Sequence, residues 1–211
     1  MNDNSVTRYG WESSDAPACC DYVAPQVLHL LEDLLPGRIL DLGCGNGQFC
    51  KQAAAAGHEA VGLELDAEGV RIAQRNNPHL RFYNYGVQDD PQQLLKNEAG
   101  RLFDAVVSTE VVEHLFAPHL LPAYAHRVLN PGGRLIVSTP YHGYLKNLAL
   151  SVFDGWDRHH TALWHGGHIK FWSRATLTRL LEDNRFRVVG FDAVGRLPYL
   201  WKSMILTARK L

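Results

Sequence analysis

Short aliphatic runs alternate along this chain with segments whose apolar residues recur at helical spacing, the pattern of strands and the helices that cover them. Residues 1–16 are polar, carry Tyr9 and Trp11, and show no period. They read as a disordered lead or as a flap that closes over a ligand, the start of an N-terminal arm spanning 1–24. From Pro25 to Leu35 the period is helical, with Val27, Leu30, Leu31, Leu34 and Leu35 on one face and Pro36-Gly37 as the stop. Ile39 to Leu42 is a first strand, Gln48 to Ala56 a helix, and Glu59 to Glu64 a second strand. Asp66 N-caps a helix carrying Val70, Ile72 and Ala73, which Asn76-Asn77-Pro78 ends. A short third strand, Leu80 to Tyr83, leads through a polar crossing to a short helix at Gln92 to Asn97.

The second half continues the alternation. Leu102 to Ser108 is nearly all apolar, as in a sheet covered on both faces. A helix from Leu120 to Leu129 turns at Asn130-Pro131-Gly132-Gly133 into a fifth strand, Arg134 to Thr139. Ser173 N-caps a helix burying Leu177, Leu180 and Leu181, and Val188–Val194 and Ser203–Ala208 are the last two strands. Their connection offers Arg196, Tyr199 and Trp201 to a pocket rim. Only residues 140–172 break the pattern: aromatic and histidine side chains crowd there around a helix from Leu145 to Phe153, more than a connector needs. The segment reads as a lid over a planar or lipid-like acceptor.

Length and composition set bounds without changing this picture. With 211 residues, 46% of them hydrophobic, the chain holds one core and one domain, 1–211. Its 21 basic and 22 acidic residues nearly cancel, so no global field draws it to nucleic acid or to anionic lipid. No leader and no long apolar run is found in it, and it is read as soluble and cytoplasmic, without integral membrane association. The four cysteines match neither a disulfide framework nor a metal knuckle.

The chemistry concentrates at strand ends. Asp41-Leu42-Gly43-Cys44-Gly45-Asn46-Gly47 joins a strand to a helix through three glycines, which let a ligand approach backbone with no Cβ in the way. This spacing is tighter than the dinucleotide fingerprint and suits a nucleoside without a diphosphate. Glu64, ending the second strand, is placed to accept two ribose hydroxyls. Farther on, Glu110, Glu113 and His114 stand at i, i+3 and i+4, one side of a helical turn. Carboxylates beside an imidazole suit a divalent cation, Mg2+ or, with the imidazole, Zn2+, Mn2+ or Fe2+.

The stretch from Ile39 to Gly47, with Glu64, resembles the cofactor motifs of the class I S-adenosylmethionine-dependent methyltransferases. That resemblance implies a Rossmann-like, three-layer αβα fold with a seven-stranded sheet of order 3-2-1-4-5-7-6, the last strand antiparallel. It also implies that Asp41, Gly43, Gly45 and Gly47 shape the cofactor loop, that Glu64 holds the ribose, and that Gln88, Asp89 or Asp90 receives the adenine amino group, with Thr109 counted beside the cofactor. Glu110-Val111-Val112-Glu113-His114 and Gly167-His168-Ile169-Lys170-Phe171 further resemble paired motifs of the UbiG-like ubiquinone-biosynthesis O-methyltransferases. Two Glu and two His also hold Mg2+ in small-RNA 3'-terminal 2'-O-methyltransferases. The ligands implied here are Glu110, Glu113, His114 and His168, with His142, His159, His160 and His165 as rivals for the fourth place. The reaction implied is O-methylation of a phenolic or catechol-like, aromatic or prenylated small molecule, with His142 or His168 taking the proton. Two other readings compete: a terminal-ribose RNA methyltransferase, which needs a basic groove, and a non-catalytic cofactor- or partner-binding protein.

Overall fold

The computed structural model describes residues 10–11, 13–160, 163 and 167–211. Five strands follow one another with helices between them: β1 (Arg38–Leu42), β2 (Glu59–Leu63), β3 (Arg81–Tyr83), β4 (Phe103–Thr109) and β5 (Leu129–Pro140). β6 (Phe186–Val194) and β7 (Ser203–Lys210) complete a seven-stranded sheet of order β3-β2-β1-β4-β5-β7-β6. β7 alone runs antiparallel, against both β5 and β6. The strand order reverses between β1 and β4, which opens a crevice at their C-terminal ends.

The burial of both sheet faces explains the aliphatic runs. On β5, Leu135 and Val137 face one side and Ile136 the other; on β7, Met204 and Leu206 oppose Ile205. One side packs on α4 (Pro91–Asn97), α5 (Leu120–Val128) and α8 (Arg174–Glu182), through Leu94, Leu121, Val128, Leu177 and Leu181. The other packs on α1 (Cys20–His29), α2 (Gln48–Ala55) and α3 (Ala67–Asn76), through Val23, Val27, Phe49, Ala53 and Val70. Each fully buried leucine contributes about 2 kcal/mol by removal from water. Asp66, Asp90 and Ser173 accept from the backbone N–H groups that begin α3, α4 and α8, and Ser173 with Thr176 closes a capping box.

Two expectations are corrected. The first helix is not Pro25–Leu35 but Cys20–His29, followed by a separate turn at Glu32–Leu34, so it begins inside the span read as the arm. Pro25 lies inside the helix rather than at its first turn, and the buried face is Val23, Ala24 and Val27, while Leu35 is exposed. At the fifth strand, pairing starts earlier than Arg134: Phe103 faces Leu129 and Ala105 faces Arg134, so the Pro-Gly-Gly turn is an excursion within one strand. In the region read as the lid, α6 (Tyr144–Val152) and α7 (Trp156–His160) follow β5.

Charged groups gather at the sheet end away from the crevice. Arg38, nearly buried, meets Glu98 and donates to Glu59 at 3.1 Å, while Arg81 donates to Glu98 at 2.9 Å and Arg101 to Glu59 at 3.0 Å. This network ties β1, β2 and β3 together below the site.

Candidate active site

β1 delivers Asp41 to the crevice and then turns sharply, because Gly43 and Gly47 adopt φ of 89° and 81°, where a side chain is strained. A Cβ on Gly43 would lie 2.4 Å from Val111 Cγ2, and one on Gly47 would lie 2.9 Å from Phe82 Cζ. Two backbone bonds, Gly43 N and Cys44 N to Leu63 O at 2.8 Å, hold the loop against β2. Glu64 lies beside it, one oxygen accepting from Gly45 N and the other from Asp66 N, each at 2.8 Å. Each oxygen keeps a second lone pair.

Buried Asp41 is an unusual group at this place. Burial pushes its carboxyl up to about 7 against a hydrogen bond from Cys50 Sγ at 3.5 Å, and its Oδ1 has no partner among the described residues. Enclosed carboxylate oxygens and a glycine cradle fit a nucleoside cofactor bearing an ammonium and a sulfonium charge. Of the three candidates for the adenine amino group, Gln88 lines the cavity; Asp89 accepts from Gly86 N at 2.7 Å and Asp90 caps α4.

The N-terminal arm crosses this site. Asn46 donates to the carbonyls of Ser13 and Asp15 at 3.1 and 2.8 Å, and Gln48 donates to that of Ser14. Trp11 lies so close to the glycine loop that a Cβ on Gly45 would come within 2.2 Å of its ring. The arm therefore lies over the glycine loop, with Trp11 in the cavity wall; Tyr9 lies outside the described residues. Cys19 and Cys20, free thiols that sequence reasoning set aside, line the same cavity. The signal for the arm was Asn46-Gly47-Gln48, whose amides had no assigned partner.

β4 supplies the second half of the site. Thr109 lines the cavity, and Glu110 follows it with φ of 55°. Its N–H donates to Ser138 O at 3.2 Å and its carboxylate accepts from Ser138 Oγ at 2.8 Å. Only Val112–His114 then form a tight helical turn, so Glu110 departs from the expected common face. Glu113, His114 and His168 converge instead, with one ligand atom from each all within 4.8 Å of one another. The backbone carbonyl of Glu113 accepts from Ile169 N and Lys170 N, both at 3.0 Å, which pins the His168 segment to this turn.

These three side chains fit a divalent cation. His114 Nδ1 lies 3.1 Å from the Gly167 carbonyl, and in the tautomer that donates there Nε2 presents its lone pair toward Glu113. His114 Nε2 and His168 Nε2 both stand 4.0 Å from Glu113 Oε1, a buried oxygen with no hydrogen bond among the described residues. Glu113 Oε2 accepts from Thr139 at 3.0 Å. Burial lifts the Glu113 carboxyl well above the usual carboxylate range, and burial with the neighbouring His114 brings His168 down to about 4. Three acceptors facing one point suit a cation.

His142, His159 and His160 are not part of that three-residue group. His142 stacks against His160 at 5.9 Å and meets Phe171 edge-on at 5.2 Å, and burial with nearby Lys146 lowers it to about 4. His159 lies edge-on to His160 at 4.8 Å, and His165 is outside the described residues. One cavity of about 610 Å3 joins the glycine loop, Glu64, Gln88, Glu110, His114 and His168.

A methyltransferase-domain family profile matches residues 16–190, most of the chain. This chain belongs to the class I S-adenosylmethionine-dependent methyltransferases. This methyltransferase is 33% identical over 159 residues to the mitochondrial ubiquinone biosynthesis O-methyltransferase of Rattus norvegicus, covering 72% of this chain and 44% of that one. With the ubiquinone biosynthesis O-methyltransferase of Xanthomonas oryzae it shares 32% over 124 residues, covering 58% and 49%. It thus spans about half the length of the curated relatives it matches. The magnesium protoporphyrin IX methyltransferase of Synechocystis with bound S-adenosylhomocysteine superposes with a TM-score of 0.65 at 22% identity, over 89% of this chain and 82% of that one. That likeness concerns the fold.

Proposed function

We propose that this methyltransferase methylates an oxygen of a phenolic or catechol-like small molecule, with a divalent cation held by Glu113, His114 and His168. The observation that carries the reading is the cavity that joins the glycine loop to His114 and His168, with Glu113 beside them in the same cluster. The relatives named for ubiquinone biosynthesis O-methylation support the choice of oxygen. S-adenosylmethionine supplies an electrophilic methyl group. A cation, when bound, lowers the pKa of a phenol that stands near 10 in water.

The remaining work falls to the chain. The glycine loop and Glu64 orient the cofactor, Asp41 offers an oxygen to its cationic end, and Trp11 with the arm excludes water. Glu110, on the cavity wall, is pushed by burial up to about 7 against hydrogen bonds from Ser138 and Ser203. It is matched to take the acceptor's proton, in place of His142 or His168, the residues expected for that role.

The test is calorimetry with S-adenosylhomocysteine together with Mn2+ titration followed by electron paramagnetic resonance. The parent binds both. Glu113→Gln loses Mn2+ binding by at least about tenfold, in line with loss of a ligand, and keeps cofactor affinity within a few-fold. Methyl transfer to catechol that is unchanged after metal stripping would sink the metal half; failure to bind the cofactor would sink the whole.

A further inference from the structure

All four cysteines of the chain gather at the cofactor end of the cavity. Cys19, Cys20 and Cys44 line it, and Cys50 donates to the Asp41 carboxylate in its wall at 3.5 Å. The four are not equivalent. Cys44 and Cys50 are buried, and burial lifts Cys44 to about 11 and Cys50 well above the usual thiol range, which keeps both protonated and inert. Cys19 and Cys20 are half-buried neighbours at the point where the N-terminal arm becomes α1.

The backbone fixes that point. Cys20 N–H donates to the Pro17 carbonyl and Val23 N–H to the Cys19 carbonyl, both at 2.8 Å. Cys19 is thereby the N-cap and Cys20 the first residue of the ten-residue α1, at the end whose dipole favours negative charge. The two thiols hydrogen-bond to each other. That bond holds Cys20 below the ordinary thiol value, against burial and the charges of Asp41 and Asp21. The same bond, with burial, pushes Cys19 up. One thiol of the pair is a nucleophile in the cavity wall, and its neighbour is the donor that steadies it.

The cavity decides what reaches this nucleophile. S-adenosylmethionine ends in an α-amino acid, an ammonium beside a carboxylate, and the γ-glutamyl end of glutathione carries the same pair. Asp41 lines the same cavity, buried, with Oδ1 unpartnered among the described residues, and its charge is felt at Cys20. A wall that accepts the cationic end of the one ligand offers the same oxygen to the other.

We propose that Cys20 is a modification site for glutathione disulfide, and that the mixed disulfide formed there excludes the cofactor. The Cys20 sulfur attacks one sulfur of the disulfide: a bond forms between protein and glutathione as the bond within glutathione disulfide breaks. The Cys20 sulfur is oxidised, the departing sulfur is reduced, and the second half leaves as glutathione with the proton that Cys20 gave up. Excess glutathione runs the exchange backwards, so cofactor binding follows the ratio of the two forms.

The full chain, incubated with glutathione disulfide, is read by peptide mass mapping and by calorimetry with S-adenosylhomocysteine, each protein against its own untreated sample. One glutathionyl group should appear on Cys20, and affinity should fall at least about tenfold and return with dithiothreitol. Saturating S-adenosylhomocysteine should block labelling. Cys20→Ser should take no label, and treatment should leave its affinity where it stood. Cys19→Ala, which lacks the donor, should label at least about threefold more slowly. Hydroxyethyl disulfide, which has no amino-acid end, should label the parent more slowly than glutathione disulfide. A parent that stays unmodified overturns the proposal, as does label confined to another cysteine or a Cys19–Cys20 disulfide without retained glutathione. A Cys20 adduct that leaves S-adenosylhomocysteine affinity unchanged overturns it too.

Discussion

Glu110 concentrates what one residue can do at a strand end. Three positions away from Glu113 in sequence, it is separated from Glu113 by a left-handed backbone, and Ser138 holds its carboxylate. Non-glycine residues at positive φ cost about 1–3 kcal/mol and persist where surrounding structure fixes them, often at functional sites. A carboxyl titrating near 7 is deprotonated progressively as pH rises through that value. The rate at low acceptor concentration should therefore climb between about pH 6 and pH 8, and Glu110→Gln should remove this limb and lower the rate about a hundredfold or more. Retained Mn2+ binding in the same variant separates this role from ligation; a pH profile unchanged in Glu110→Gln would refute it. Asp41 also titrates near 7, and Asp41→Asn should act mainly on cofactor affinity. The sequence showed which residues gather here, because the motif spacing puts carboxylates and imidazole at one strand end. It could not show which of the two glutamates turns away, since a helical face was assumed where the chain makes one tight turn.

At the scale of elements, the boundaries that side chains mark were the legible ones. Asp66 and Ser173 announce helix starts through their own capping bonds, and the structure uses both, while Asp90, read as a partner for the adenine, caps α4 instead. Where only apolar spacing was available the reading slipped: Leu30, Leu34 and Leu35 continue the period of α1 although the helix has ended at His29. The arm was legible as a choice between two states, since its anchors are backbone carbonyls that any sequence would provide. A second prediction belongs to β2. Burial alone would raise Glu59, but Arg101, Arg38 and Arg81 more than reverse this and bring it to about 2. Its folded value lies below the unfolded value of 4.5, so its stabilisation is full above that value and fades as pH falls toward 2. The urea midpoint should fall from about pH 5 to about pH 3, and fall less in Glu59→Gln. Equal slopes in the two proteins would remove Glu59 from the account; because its side chain is one-third exposed, the effect is modest.

For the whole molecule, the alternation of strands and helices carried the fold, while the lid region carried the ambiguity. Its aromatic and histidine content marked it as special, yet periodicity could not say that α6 would bury its lysine and expose its leucines. That outcome depends on Lys146 reaching the Tyr141 carbonyl, and among the described residues no apolar neighbour covers the outer face.

The position of β7 between β5 and β6 has a consequence for synthesis. The strand made last fills a slot between two made earlier. At roughly 5–20 residues per second, β5 waits several seconds on the ribosome with an open backbone edge. A nascent chain halted before Ser203 presents two adhesive edges and no sheet to close them. Chains truncated at residue 202 should accumulate as aggregates or bound to chaperones, whereas chains that include β7 fold; a soluble, cofactor-binding truncation would show that the sheet closes without β7.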